Sequence, residues 1–316
     1  MDGKINVTYI TLSGYVDLSK YRYFYFSVIF TMYILIVCSN ATILYLIWIH
    51  KNLHEPMYIF IAGLLFNCLL YSTSIYPKLL VDFLSEKPII SYSACLLQFF
   101  IFYSVGGSEF LLLAAMAFDR YVAVCKPLKY RNIMTKNNVN IFLLVAWVFP
   151  ACHLAVLAIL SAKAKICNFH LEGIFCNNTM YTLHCVRSRA LTIFGVIALL
   201  NTAILPTLFT AFTYTKIFIT SYRSCKEFRK TTAQTCIPHL LVLTSYFCVM
   251  TYDVIIARVE SDFPKTARFI MTIQTFLYHP LINPFMYGLF DNVLSIVSLN
   301  RLLSCVNSVF LKIVCD

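Results

Sequence analysis

Few residues in this chain can do chemistry, and most of them sit in apolar surroundings. Asp119-Arg120-Tyr121 puts two opposite charges at the end of a long apolar run. Such charges are costly in hydrocarbon unless paired or wet. They mark either a helix end at the lipid headgroups or a charge pair that a bound molecule can bias. Glu109 lies deeper in the same run, where a lone carboxylate must be neutral, paired or bound to a cation. Asn283-Pro284 and Tyr287 interrupt another apolar run. Pro284 deletes a backbone donor and so frees a carbonyl for Asn283 or water. A proline alone reads as a kink; the flanking Asn and Tyr read as a hinge. Cys95, Cys167, Cys176 and Cys185 allow two disulfides in three connectivities. No Cys/His metal spacing, phosphate loop or nucleophile elbow occurs in a polar segment. These residues therefore do not read as an enzyme, and neither a cofactor nor a metal is expected.

The elements that must position these residues are apolar segments. Sixty per cent of the 316 residues are hydrophobic and only 12% are charged. Mean hydropathy is +0.76. A soluble domain carries about 25% charged residues, so too little charge is present here to cover a water-facing surface. The apolar residues fall in seven blocks long enough to span a bilayer as helices. They run Tyr23–Ile49, Met57–Phe83, Ser93–Val122, Val139–Leu160, Ala190–Ile219, Gln234–Ala257 and Thr266–Phe290. The fold expected is an all-α, seven-transmembrane bundle. Residues 1–22 precede it, 23–290 form it, and 291–316 follow as a tail with a short amphipathic helix over Asn292–Ser304. The first 22 residues do not look like a cleaved secretory signal, so the first span is expected to act as its own insertion signal.

The net charge of +11 does not point to nucleic acid. The bases lie in short segments beside the spans, where they meet lipid headgroups or a cytoplasmic partner. Totals of Lys and Arg on the two sides are nearly equal, so orientation is read from density. Lys126, Lys129, Arg131 and Lys136 crowd the connection after span three; Arg223, Lys226, Arg229 and Lys230 crowd that after span five. Both are expected to be cytoplasmic. Sequons at Asn6 and Asn177, and the four cysteines, then fall outside. A third match at Asn40 lies within span one and is excluded.

The wording around these residues is specific. Met116-Ala117-Phe118-Asp119-Arg120-Tyr121-Val122-Ala123-Val124-Cys125-Lys126-Pro127-Leu128-Lys129-Tyr130 resembles the third-helix signature of rhodopsin-like receptors in its vertebrate olfactory form. Leu53-His54-Glu55-Pro56-Met57-Tyr58, Tyr76-Pro77-Lys78-Leu79-Leu80, Cys236-Ile237-Pro238-His239-Leu240 and Pro280-Leu281-Ile282-Asn283-Pro284-Phe285-Met286-Tyr287 are similar to that family's other motifs. The segments Ser85–Cys95 and Gly106–Phe110 look most like its fish branch.

The resemblance implies an odorant receptor of the plasma membrane, with its N-terminus extracellular, that activates a stimulatory heterotrimeric G protein and raises cAMP. It implies that Asp119 holds Arg120 at rest, with Tyr121 beside them and Asn283, Pro284 and Tyr287 as a second switch. It implies a Cys95–Cys176 disulfide and a further Cys167–Cys185 pair folding a lid. A pocket is implied around Phe102, Tyr103, Gly106, Gly107, His153, Asn201, Phe247, Thr251, Val254, Ile273 and Phe276. The glycines would leave room for a small ligand or let helices touch. Asp253 is open to two readings, a solvated helix-end charge or a partner for a cationic ligand. The chain departs from the family where an acid is usual on span two: Cys68 stands there with Asn67 beside it. A protonated Glu109 bonded to Asn67 is the expected replacement. A chemoreceptor outside olfaction, and a channel or transporter, are the alternatives.

Overall fold

The computed structural model describes residues 8–50, 53–186, 188–222, 226–256 and 264–290. Asn6 and the tail helix lie outside that set. Helix α1 covers Leu18–Ile49, α2 Pro56–Leu84 and α3 Tyr92–Cys125. A single turn, α4 (Tyr130–Ile133), precedes α5 (Lys136–Ala162). Helix α6 (Arg189–Leu199) runs through a π-helical turn at Leu200–Ile204 into α7 (Leu205–Tyr222). Helix α8 covers Lys226–Ile256 and α9 Lys265–Phe290. With α6 and α7 taken as one rod, the long helices coincide with the seven apolar blocks. Among the described residues, five rods are long and apolar enough to cross a membrane.

Polar caps set several helix starts. Ser91 Oγ accepts from the Ala94 amide at 3.3 Å, Thr135 Oγ1 from Asn138 at 3.3 Å, and Ser188 Oγ from Leu191 at 3.4 Å. Each satisfies an amide that has no partner within its helix. Pro56 begins α2, where its missing N–H costs nothing.

Helix α3 is the central rod. Phe99, Phe102, Leu112 and Met116 are buried along it, whereas Trp48 on α1, Leu144 on α5 and Leu208 and Phe212 on α7 are exposed. Large apolar side chains turned outward suit hydrocarbon rather than water. Neighbouring helices repair the backbone gaps that prolines leave in α9. Pro280 deprives the Phe276 carbonyl of its helical donor, and Tyr76 Oη donates to that oxygen at 3.4 Å. Pro284 does the same to the Pro280 carbonyl, and Asn40 Nδ2 donates to it at 2.8 Å. The sequence reading gave this freed carbonyl to Asn283 or water; Asn40 holds it instead.

A small sheet, not expected from the sequence, caps one end. Strand β1 (Tyr9–Leu12) pairs antiparallel with β2 (Ile89–Ser91) and parallel with β3 (His170–Leu171). It joins the N-terminal segment to the connections after α2 and after α5 on one face. Tyr15 Oη reinforces the join, 3.2 Å from both Asp82 Oδ2 and the Ile174 carbonyl.

Candidate functional site

The segment between α5 and α6 forms a lid, held by two disulfides. Cys95 at the start of α3 is bonded to Cys176, and Cys167 to Cys185. The Cys176 amide also donates to Gln98 Oε1 at 3.0 Å. Phe175 is thereby pinned against the bundle. Its ring centroid lies 4.8 Å from Phe102 and 4.7 Å from Phe276. Phe102 is in turn 4.8 Å from Tyr103 and 5.0 Å from Tyr71. Two of the expected pocket aromatics, Phe102 and Phe276, thus meet through a lid residue that the sequence reading had not singled out. Its adjacency to Cys176 was the available signal.

Asp253 is buried, only 4% exposed. The solvated reading of this acid is therefore wrong. Tyr103 Oη donates to its Oδ2 and Asn177 Nδ2 donates to its Oδ1 at 2.9 Å. The Asn178 amide donates to Tyr103 Oη at 3.0 Å. These bonds fasten the lid to α3 and α8. They also correct the expectation of a glycan at Asn177. Asn177 is 6% exposed, and the nitrogen that would carry the sugar is engaged with Asp253. A glycan on that nitrogen would have to displace its bond to Asp253.

The glycines do not leave open space. A Cβ on Gly106 would lie 3.1 Å from Met250 Cε and Tyr246 Oη; one on Gly107 would lie 2.9 Å from Pro150 Cβ. Tyr246 Oη donates to the Gly106 carbonyl at 2.9 Å. Both glycines serve close helix approach, the second of the two readings. His153 Nε2 and Asn201 Nδ2 are brought together at 3.3 Å. Phe247, Thr251 and Ile273 are half-buried. The Val254 and Tyr287 side chains lie outside the description.

Mid-bundle, Glu109 and Asn283 are buried and joined. Asn283 Nδ2 donates to Glu109 Oε1 at 3.1 Å and lies 3.2 Å from Cys68 Sγ. His279 Nδ1 is 3.6 Å from the same carboxylate oxygen. The expected Glu109–Asn67 bond is absent: Asn67 donates to the Val105 carbonyl at 2.9 Å and accepts from Trp147 Nε1 at 3.3 Å. The error came from looking for a partner on span two; α9 supplies it. At the opposite end of α3, Asp119 is buried and accepts from Tyr130 Oη at 2.8 Å. Burial first, then the Asp119 charge, raise the pKa of the Tyr130 phenol, so it stays a donor.

Residues 29–303 match the family model described as olfactory receptor. The chain belongs to the olfactory receptor family. Human Olfactory receptor 11A1 is 30% identical over 285 residues, which is 89% of this chain and 90% of that protein. Human Olfactory receptor 1L4 is 32% identical, covering 84% and 85%. The canine Olfactory receptor-like protein OLF4 is 28% identical, covering 88% and 90%. Membership makes the long helices a seven-transmembrane bundle and the protein an odorant receptor coupled to a G protein, not an enzyme. In such a receptor the lid, the Phe102–Phe175–Phe276 cluster and the Glu109–Asn283 link lie in series between one end of α3 and the buried Asp119 at the other.

Proposed function

We propose that this olfactory receptor binds a small odorant beneath the lid and passes the signal down α3 to Arg120, which engages a stimulatory G protein and raises cAMP. The observation that carries the reading is the end of α3. There Asp119, beside Arg120, is buried and tethered to Tyr130 in the following connection. A buried charge held by a loop residue has two discrete states, bound and released, and a ligand that prefers one shifts the balance. The proposed residue set is Asp119, Arg120, Tyr121, Asn283, Pro284 and Tyr287 for switching. Phe102, Tyr103, His153, Asn201, Phe247, Thr251, Val254, Ile273 and Phe276 surround the ligand.

The receptor works at the plasma membrane with residues 1–22 outside, 23–290 in the membrane and 291–316 inside. Two features support this orientation. The β1–β2–β3 sheet and both disulfides gather on the face carrying the N-terminal segment, and disulfides form in oxidising compartments. The basic connections after spans three and five fall on the other side. Exposed apolar side chains on α1, α5 and α7 support lipid as the lateral partner; no nucleic-acid role is proposed. The odorant expected from the fish-like wording is small and water-soluble.

The test is a cAMP reporter in cells expressing the chain with an N-terminal epitope. Antibody should bind unpermeabilised cells, and at least one small-molecule class from amino acids, bile salts, steroids or amines should raise cAMP. Epitope staining only after permeabilisation would overturn the orientation. A surface-expressed receptor silent to every class, with no basal signal, would overturn the receptor reading.

A further inference from the structure

A buried carboxylate is normally matched by a cation or by a full set of strong donors. Asp253 has neither. Its partners among the described residues are the Tyr103 hydroxyl and the Asn177 amide, both neutral. The other described ion pairs, Lys78–Asp82, Arg268–Glu172 and His279–Glu109, do not reach it. Its surroundings are aromatic. The Tyr103 ring lies 4.9 Å from Phe99 and 4.8 Å from Phe102, and Tyr181 is 5.9 Å from Phe99. A carboxylate bonded to one member of a cluster of rings is the chemistry that selects an organic ammonium over a neutral or anionic group.

One cavity at the lid is lined by Asn177, a partner of Asp253, and not by Asp253 itself. Its volume is about 30 Å³, and Glu172, Phe175 and Arg268 also border it. That volume takes a group the size of a water or an ammonium head, not a whole ligand. Asn177 borders the cavity and donates to Asp253, so it links the two. A ligand ammonium can replace that amide N–H on Oδ1 and add the charge that the amide lacks.

We infer that the odorant of this receptor carries a small organic ammonium group, and that Asp253, walled by Tyr103 and its aromatic neighbours, is the counter-ion. This rests on the receptor reading above and narrows the ligand class within it. Asn177 then acts as a positioning residue that occupies the carboxylate until ligand displaces it.

The test uses the full chain in the cAMP reporter, with surface expression measured in parallel. Probes are butylamine, hexylamine and cadaverine, against hexanol, hexanoic acid and N-acetylhexylamine. Amines should activate and the matched neutral and acidic probes should not. This comparison needs no variant, so poor folding of a mutant cannot obscure it. Asp253→Asn keeps the side-chain shape and one acceptor oxygen but removes the charge, and should weaken amine potency at least about 30-fold. Asp253→Glu should keep the preference for amines. Full response to hexanol or N-acetylhexylamine with silent amines would overturn the assignment, as would an unchanged amine response in Asp253→Asn. Silence to all six probes with Arg120-dependent basal cAMP intact would overturn the ammonium assignment alone. Silence without any Arg120-dependent basal signal would overturn the receptor reading, and the assignment with it.

Discussion

In the proposed mechanism, one hydrogen bond at Asp119 holds the receptor quiet. The Asp119 carboxylate is buried at the end of α3 and accepts from Tyr130 at 2.8 Å. A hydrogen bond to a charged group is worth about 1.5–3 kcal/mol net. Tyr130→Phe removes the donor and little else, so it tilts the balance toward the released state. The full bond corresponds to a shift of roughly tenfold to hundredfold; with water replacing the hydroxyl, basal cAMP per surface receptor should rise roughly threefold to tenfold. An unchanged basal signal would remove this bond from the resting latch. The residue scale is also where sequence reading was least secure. Asp119, Glu109 and Asn283 were all legible as buried polar residues with work to do. Their partners were not, because partners come from helices far apart in sequence. Glu109 was assigned to Asn67 and is bonded to Asn283, 174 residues away.

At the scale of elements, the helices were legible and the cap was not. Blocks of apolar residues fix where a chain can span a membrane, and the rods follow them closely. Strands of four, three and two residues carry no alternation long enough to read. They exist because the disulfides and short connections bring their backbones together. The α9 prolines illustrate a cost that sequence announces without naming its remedy. Asn40 donates to the Pro280 carbonyl at 2.8 Å from a helix more than two hundred residues earlier. Asn40→Ala leaves that buried oxygen without its donor, a loss of about 1–3 kcal/mol. The melting temperature of detergent-solubilised receptor should fall by several degrees, at roughly 2–4 °C per kcal/mol. No shift would mean that another group caps the carbonyl. The lid gives a second prediction. His184 lies outside the membrane, with Nε2 3.2 Å from Tyr92 Oη, and burial lowers its pKa from 6.5. The folded lid therefore favours neutral imidazole. Its contribution is fully present above about pH 6.5 and is lost as pH falls below that value toward the lower folded pKa. Thermal melts of the receptor should show acid loss of stability that His184→Gln reduces. An identical pH profile in the variant would exclude this group as the cause.

The whole molecule is a series of contacts along α3. The lid is fastened to one end of it by Cys95–Cys176 and by the Tyr103–Asp253–Asn177 bonds. Its middle is joined to α9 through Glu109 and Asn283. Its far end carries Asp119 and Arg120. Each joint is a small set of discrete contacts, which lets a change at the lid bias the opposite end. Family motifs made this layout legible before the structure did, because they mark the ends and kinks of the spans. What they could not convey is occupancy. Gly106 and Gly107 suggested space, yet Tyr246, Met250, Pro150 and Thr202 fill it. Asn177 suggested a glycan, yet its amide is a latch.

The central claim is that ligand binding is converted into G-protein activation through Arg120. The most direct measurement is cAMP from wild type and Arg120→Ala in the same cells, with the activating probe and with surface expression quantified. Arg120 lies at the end of α3, remote from the lid, so its removal should spare folding and trafficking. Normal surface expression and loss of the cAMP response are expected. An undiminished response in Arg120→Ala at equal surface expression would contradict it.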